Sequence, residues 1–182
     1  NWSSALECAI RLINWSAAWQ LLGGSEAPLF TADGGAEFRH RWLVSVQQHM
    51  RYIRGHYSRY SSANNHLIGE AAGVYIAGLT WPFWREHANW QNEAADILQR
   101  EALLQNAPDG VNREQAISYQ QFELDLLILA MLAGRAEGRS FSAEFESRIE
   151  AMIEYLASIM DAGGHVPMRG DSDDGYVVQL SH

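Results

Sequence analysis

The feature that most constrains this chain is the recurrence of apolar residues at three- and four-residue spacing, in segments that begin at capping residues and stop at Gly or Pro. Ser4 with Glu7 reads as a capping box, Leu6, Ala9, Ile10, Ile13, Ala17 and Leu21 follow at helical spacing, and Gly23-Gly24 closes the segment. The same reading predicts helices over about 4–22, 36–56, 65–79, 84–105, 113–136 and 142–162. Residues 25–35, with Pro28 and Gly34-Gly35, read as a loop. Thr80-Trp81-Pro82 ends the third helix, Pro108-Asp109-Gly110 marks the turn before the fifth, and Gly163-Gly164 ends the sixth. The tail, 163–182, is polar and then alternates weakly like a strand over 176–180. Six helices with short or medium connections describe three antiparallel αα-hairpins, an all-α fold. No period recurs strictly enough for a solenoid array, and alternating inner and outer helices would make an arc of an incomplete α/α toroid. Gly69, Gly73 and Ala77, four apart, form a smooth stripe on which a neighbouring helix can approach closely.

With 182 residues, 47% of them hydrophobic, the chain can bury a sizeable core and reads as a single helical domain. No apolar run reaches the roughly 18 residues of a membrane span. The lone Cys8 falls on the buried side of the first helix, which rules out a disulfide within the chain and makes a thiol nucleophile a poor candidate. The chain opens at Asn1 without Met, as an excerpt of a longer polypeptide would. Its net charge is −9, yet residues 38–69 contain no Asp or Glu and carry Arg39, Arg41, Arg51, Arg54 and Arg59, a formal +5 against −14 elsewhere. A positive zone in an acidic protein argues for a local anionic ligand and against general attraction to nucleic acid. Its plain alternative is a solvated helix face.

Two polar islands interrupt the apolar pattern. The first runs over 57–70, where Ser61, Ser62, Asn64 and Asn65 are good N-caps and His66 falls in a first helical turn. A helix start carrying amides, hydroxyls and an imidazole suits an anion; taken alone, it is equally a capped core helix with a hydrogen-bonded histidine. The second comprises Asn112, Glu114, Gln115, Ser118, Tyr119 and Gln120. Tyr119 sits where an apolar residue would be cheaper, so it is either a satisfied core tyrosine or a proton-transfer residue. His66 and Glu70 share a helical face but lack a third ligand, so no metal is expected there. Asp171, Asp173 and Asp174 depart from a calcium loop, because Gly175 falls one place early and His182 stands where a bidentate Glu is needed. Serine-hydrolase, phosphate-loop and zinc patterns are absent.

Asn64-Asn65-His66 with Gly69-Glu70, then Gly110-Val111-Asn112 with Glu114-Gln115, then Tyr119 with Phe122, then Gly170-Asp171 with Asp173-Asp174-Gly175, occur in this order within long helices. Together with Trp2-Ser3-Ser4, Glu7 and Arg11, this series resembles the heparinase II/III-like polysaccharide lyases over nearly the whole chain. The resemblance implies the later part of an N-terminal α/α toroid, followed in a longer bacterial chain, periplasmic or secreted, by a β-sandwich. It further implies β-elimination on uronate-containing anionic polysaccharides such as heparan sulfate, other glycosaminoglycans or alginate, with no cofactor. Carried over, Tyr119 would be the general acid and an optional base, His66 would assist or act as base, and Asn65 would help neutralise the uronate carboxylate. Asn64, Arg54, Arg59, Glu70, Asn112 and Gln115 would bind substrate.

These residue types suit the chemistry. The C5 proton of a uronate leaves only when the adjacent carboxylate is neutralised, so amide, imidazolium or guanidinium donors must converge where charge grows. A non-catalytic helical domain that binds acidic polysaccharide, or serves assembly, uses the same arginines and asks nothing of Tyr119 but a hydrogen bond.

Overall fold

The computed structural model describes residues 4–171 and 176–178. Among these residues seven α-helices follow one another: α1 Ala5–Leu21, α2 Pro28–Thr31, α3 Gly35–Gly55, α4 Asn65–Thr80, α5 Arg85–Gln105, α6 Ile117–Ala136 and α7 Ala143–Ile159. No strand occurs among the described residues. The short α2, with Pro28 preset at its first turn, lies inside the stretch expected to be a loop.

The helices form two layers. Leu6 and Ala9 of α1 meet Gly69 and Gly73 of α4 in that order, and Leu126 and Gly134 of α6 flank Gly69 and Tyr75, so α1, α4 and α6 run parallel. Trp15 of α1 lies 4.8 Å from His49 and Trp19 lies 6.4 Å from Trp42, which makes α3 antiparallel to α1. Gly78 at the end of α4 faces Gln91 near the start of α5, while Gln105 Nε2 at the far end donates to Asn64 O at 3.2 Å. Helix α7 runs alongside α5, since Gln99 Oε1 accepts from Ser142 N and Leu103 O accepts from Arg148 Nη1. The expected three antiparallel hairpins, α1–α3, α4–α5 and α6–α7, are therefore present, with α1, α4 and α6 inside and α3, α5 and α7 outside.

Helix α4 is the centre, buried from Leu67 through Gly78. Its glycine stripe performs as expected: a methyl group on Gly73 would come within 2.6 Å of Ala9 Cα, and one on Gly69 within 2.3 Å of Leu6 Cδ1. Cys8, Leu12, Ile68, Trp81, Leu126, Leu127 and Phe145 fill the interior. Toward their C-terminal ends the inner helices leave an apolar hollow of about 410 Å³ bordered by Ile13, Ile76, Leu79, Leu129 and Leu132.

Two boundaries differ from expectation. Helix α6 starts at Ile117 instead of 113, because residues 112–116 are spent on turns: Asn112 Oδ1 accepts from Glu114 N at 2.8 Å, and Gln115 adopts φ +57°. Behind this loop stands a buried polar ladder. Asn112 Nδ2 donates to Asn106 Oδ1 (3.1 Å) and Glu123 Oε2 (2.8 Å), Asn106 Nδ2 donates to Glu123 Oε1, and Gln120 Oε1 accepts from Asn112 N (3.2 Å). Burial pushes the Glu123 carboxyl up to about 7, against the lowering effect of its two asparagine donors. Helix α7 ends at Ile159, where Met160 turns extended. Of the strand expected over 176–180, residues 176–178 are not a strand, and Gln179 and Leu180, like Asp173, Asp174, Gly175 and His182, lie outside the described residues.

Gly73→Ala should destabilise the protein by about 1–3 kcal/mol through overpacking against α1, reversing the roughly 1 kcal/mol gain that Gly→Ala gives in an open helix. A denaturant midpoint at or above wild type would show that α1 and α4 are not in this contact. For Glu123 the folded carboxyl titrates above the unfolded one, so its contribution to stability is complete below about pH 4.5 and is lost as pH rises through about 7. Glu123→Gln should flatten the fall in unfolding free energy between pH 5 and pH 8; equal slopes in the two proteins would remove Glu123 as its source.

Candidate active site

Because the inner helices run parallel, their N-termini open at one end of the arc, around a cleft of about 640 Å³. Ser4 Oγ caps α1 by accepting from Glu7 N, and Asn64 Oδ1 caps α4 by accepting from His66 N at 3.1 Å. The first turn of α6 contributes Ser118 and Tyr119. Three helix starts aimed at one space provide a positive field of about half a unit charge each, independent of any basic side chain.

Asn65 lines the cleft at 5% exposure. Its backbone N donates to Glu114 Oε1 at 2.9 Å, and its Nδ2 lies 3.0 Å from both Glu114 oxygens. The two carboxylate oxygens subtend a far narrower angle at Nδ2 than its splayed N–H bonds do, so one N–H bifurcates over both and the second points away from Glu114. His66 is exposed on the cleft wall. Tyr119, half-buried, donates its hydroxyl to Asp171 Oδ2 at 3.1 Å. Asp171 arrives from the tail: Arg169 O accepts from Ile117 N, Ser118 Oγ donates to Asp171 O at 2.8 Å, and Gly170 at φ +80° passes so close to Ala116 that a side chain there would collide. Residues far apart in sequence, Asn64, Asn65, His66 and Tyr119, thus share one wall.

The other expected substrate contacts lie elsewhere. Arg54 donates from Nε and Nη2 to Glu93 Oε2 (3.0 and 2.6 Å) and covers the Trp90 ring at 4.8 Å, while Arg59 Nη2 pairs with Glu93 Oε1 at 3.2 Å. Arg51 pairs with Glu86. The positive zone is therefore partly neutralised by α5, whose carboxylates are remote in sequence. His49 is buried against Trp15 with its pKa lowered by desolvation, and His56 bonds Tyr52 O. Glu70 is buried, accepts Ser58 N and Oγ at 2.7 and 2.8 Å, and has its carboxyl raised by burial, so it holds the 57–60 loop instead of a ligand. Asn112 belongs to the ladder beneath the cleft. Gln115 is exposed but does not border the cleft.

Glu114, Asp171, Glu7 and Ser118 are cleft residues that the sequence reasoning left out of the site. Glu114 had a signal, since it stands in the second polar island two residues from Asn112. Asp171 stood in the last motif of the series that resembles the family, but nothing in the sequence linked it to Tyr119, because that partnership spans the whole of α6 and α7.

Comparison with known proteins gives the family of the chain. The family described as Heparinase II/III N-terminus matches residues 1–180. A heparin-sulfate lyase of Bacteroides stercoris is 31% identical over 156 residues, covering 85% of this chain and 22% of that protein. One of Pedobacter heparinus is 27% identical over 148 residues, covering 80% and 21%. Among solved structures, a heparinase III superposes with TM-score 0.72 at 27% identity, covering 90% of this chain and 24% of its own. A heparan sulfate lyase from Pedobacter heparinus superposes with TM-score 0.70 at 25% identity, covering 92% and 25%. The chain spans about a fifth of the length of the relatives matched in sequence. With one family description running over nearly all its residues and the helical arc shared with those structures, the chain belongs to the heparinase II/III family, in its N-terminal region.

Proposed function

We propose that the longer protein containing this chain is a polysaccharide lyase that cleaves a uronate-bearing anionic polysaccharide of the heparan sulfate class by β-elimination. The observation that carries this reading is the shared cleft: Asn65, His66 and Tyr119 line one space into which three helix N-termini point. The relatives' names agree with it.

In the reaction, a base removes the C5 proton and the electron pair is delocalised onto the uronate carboxylate. The C4–O4 bond then breaks and an acid protonates the departing oxygen. The N–H of Asn65 that points away from Glu114, and the helix starts, oppose the charge that grows on the carboxylate. Glu114 aims Asn65 by holding its backbone and side chain together. The Tyr119 hydroxyl, held in the cleft by Asp171, is the candidate proton donor to the leaving oxygen, and His66, exposed on the same wall, is the candidate base. A following β-sandwich would close the cleft and add further donors.

A second reading, a non-catalytic polysaccharide-binding domain, is favoured by one observation: the Tyr119 hydroxyl and the Asn65 amide both have protein partners, as structural groups would. Tyr119→Phe in the full-length protein separates the two. Proton transfer by Tyr119 predicts that release of unsaturated product, followed by its absorbance, drops roughly 10²-fold or more with little change in affinity. A purely structural hydroxyl predicts about 1–3 kcal/mol lower stability at full turnover, which would remove Tyr119 from the mechanism. Asn65→Ala should lower turnover by about 10²-fold with the C5 anion less stabilised; unchanged turnover would leave Asn65 to structure.

A further inference from the structure

The cleft does not end at Asn64 and Glu114. These two residues also border a second groove, of about 540 Å³, that continues on their far side between Tyr60, Leu104 and Arg113. Tyr60 is 93% exposed and adopts φ +60°, a left-handed conformation uncommon for a bulky residue. The surrounding turn holds it there, with Ser62 N donating to Arg59 O and Ala63 N to Tyr60 O. The ring thereby stands in solvent, where apolar burial alone would not leave it. Leu104, 52% exposed, adds an apolar patch to the same groove.

The charges in this groove are unequally committed. Glu101 is tied to Arg100 at 2.9 Å and to Gln105 at 3.1 Å, and Glu114 is tied to Asn65. Arg113 donates its backbone N to Gln105 O, but its exposed guanidinium forms no salt bridge among the described residues. Arg51, Arg54 and Arg59 are occupied by α5 carboxylates. Arg113 can thus take an anionic group in this groove without breaking an existing pair, and its planar fork matches a carboxylate or sulfate. An exposed aromatic ring supplies the flat face on which a pyranose C–H surface stacks.

We propose that the Tyr60–Arg113 groove is a second sugar subsite, occupied by the part of the same anionic polysaccharide that extends past Asn64 and Glu114, with Tyr60 stacking on a sugar ring and Arg113 pairing with its carboxylate or sulfate. This rests on the lyase reading for the identity of the chain, while the groove itself requires only that an anionic polysaccharide be bound. The guanidinium sets the preference for a charged over a neutral polymer.

The test measures binding apart from turnover. Calorimetric titration of the full-length protein with heparan sulfate, with neutral dextran as control, is compared among wild type, Arg113→Gln and Tyr60→Gly; glycine at φ +60° is relaxed, so the second variant keeps the fold. Both variants should bind heparan sulfate about five- to tenfold more weakly, with the salt dependence reduced in Arg113→Gln alone. Turnover at saturating substrate should stay at the wild-type level. If both variants lose affinity while no protein releases unsaturated product, the subsite stands and the lyase reading fails. If both keep wild-type affinity, or if heparan sulfate binds no more tightly than dextran, the subsite is overturned even where turnover is intact.

Discussion

The contact of α1 with α4 through Gly73 and Ala9 is the constraint from which the rest of the arrangement follows. With no side chain at Gly73 or Gly69, the two backbones approach side by side and parallel, which a larger residue would prevent. Once α1 and α4 are parallel neighbours, α3 and α5 must return on the outside. The same logic places α6 inside and α7 outside. The N-termini of the inner helices then open at one end, and the cleft arises there as a consequence of packing.

That cleft balances two opposed electrostatic contributions. Glu7, Glu114 and Asp171 bring carboxylates to its walls, whereas the helix starts bring orphan N–H groups and their dipoles. Glu114 is consumed by Asn65 and Asp171 receives Tyr119 and Ser118, so both act as acceptors that aim neighbouring groups. Beneath Glu114, the asparagine ladder on Glu123 makes the 112–116 loop rigid at the cost of burying a carboxyl, which is why that carboxyl sits near 7. The outer layer is different in kind. The ion pairs that Arg51 and Arg54 of α3, and Arg59 in the loop after it, make with α5 carboxylates are partly exposed and screened by solvent, so they set charge distribution more than stability.

What the sequence by itself determined is the local order: where helices begin and end, that they pair as hairpins, and that Asn64, Asn65, His66 and Tyr119 are polar where apolar residues would be cheaper. These are legible because capping, helical period and the small-residue stripe act within a few residues of chain. Only the tertiary structure decided which charged groups are spent on one another. Arg54 and Arg59 appeared free in a window without acids, and Glu93, more than thirty residues on, pairs with them both. Glu70 was read with His66 on one helical face, and burial turned it to Ser58. Helix α6 lost its expected first turn to the Asn112 ladder, and Asp171 reached Tyr119 only because the tail folds back over the start of α6. Local hydrogen bonding acts between near neighbours in the chain and is written in their spacing, whereas Coulomb attraction and desolvation act between whatever the packing brings together, so the commitment of each charge is decided in three dimensions.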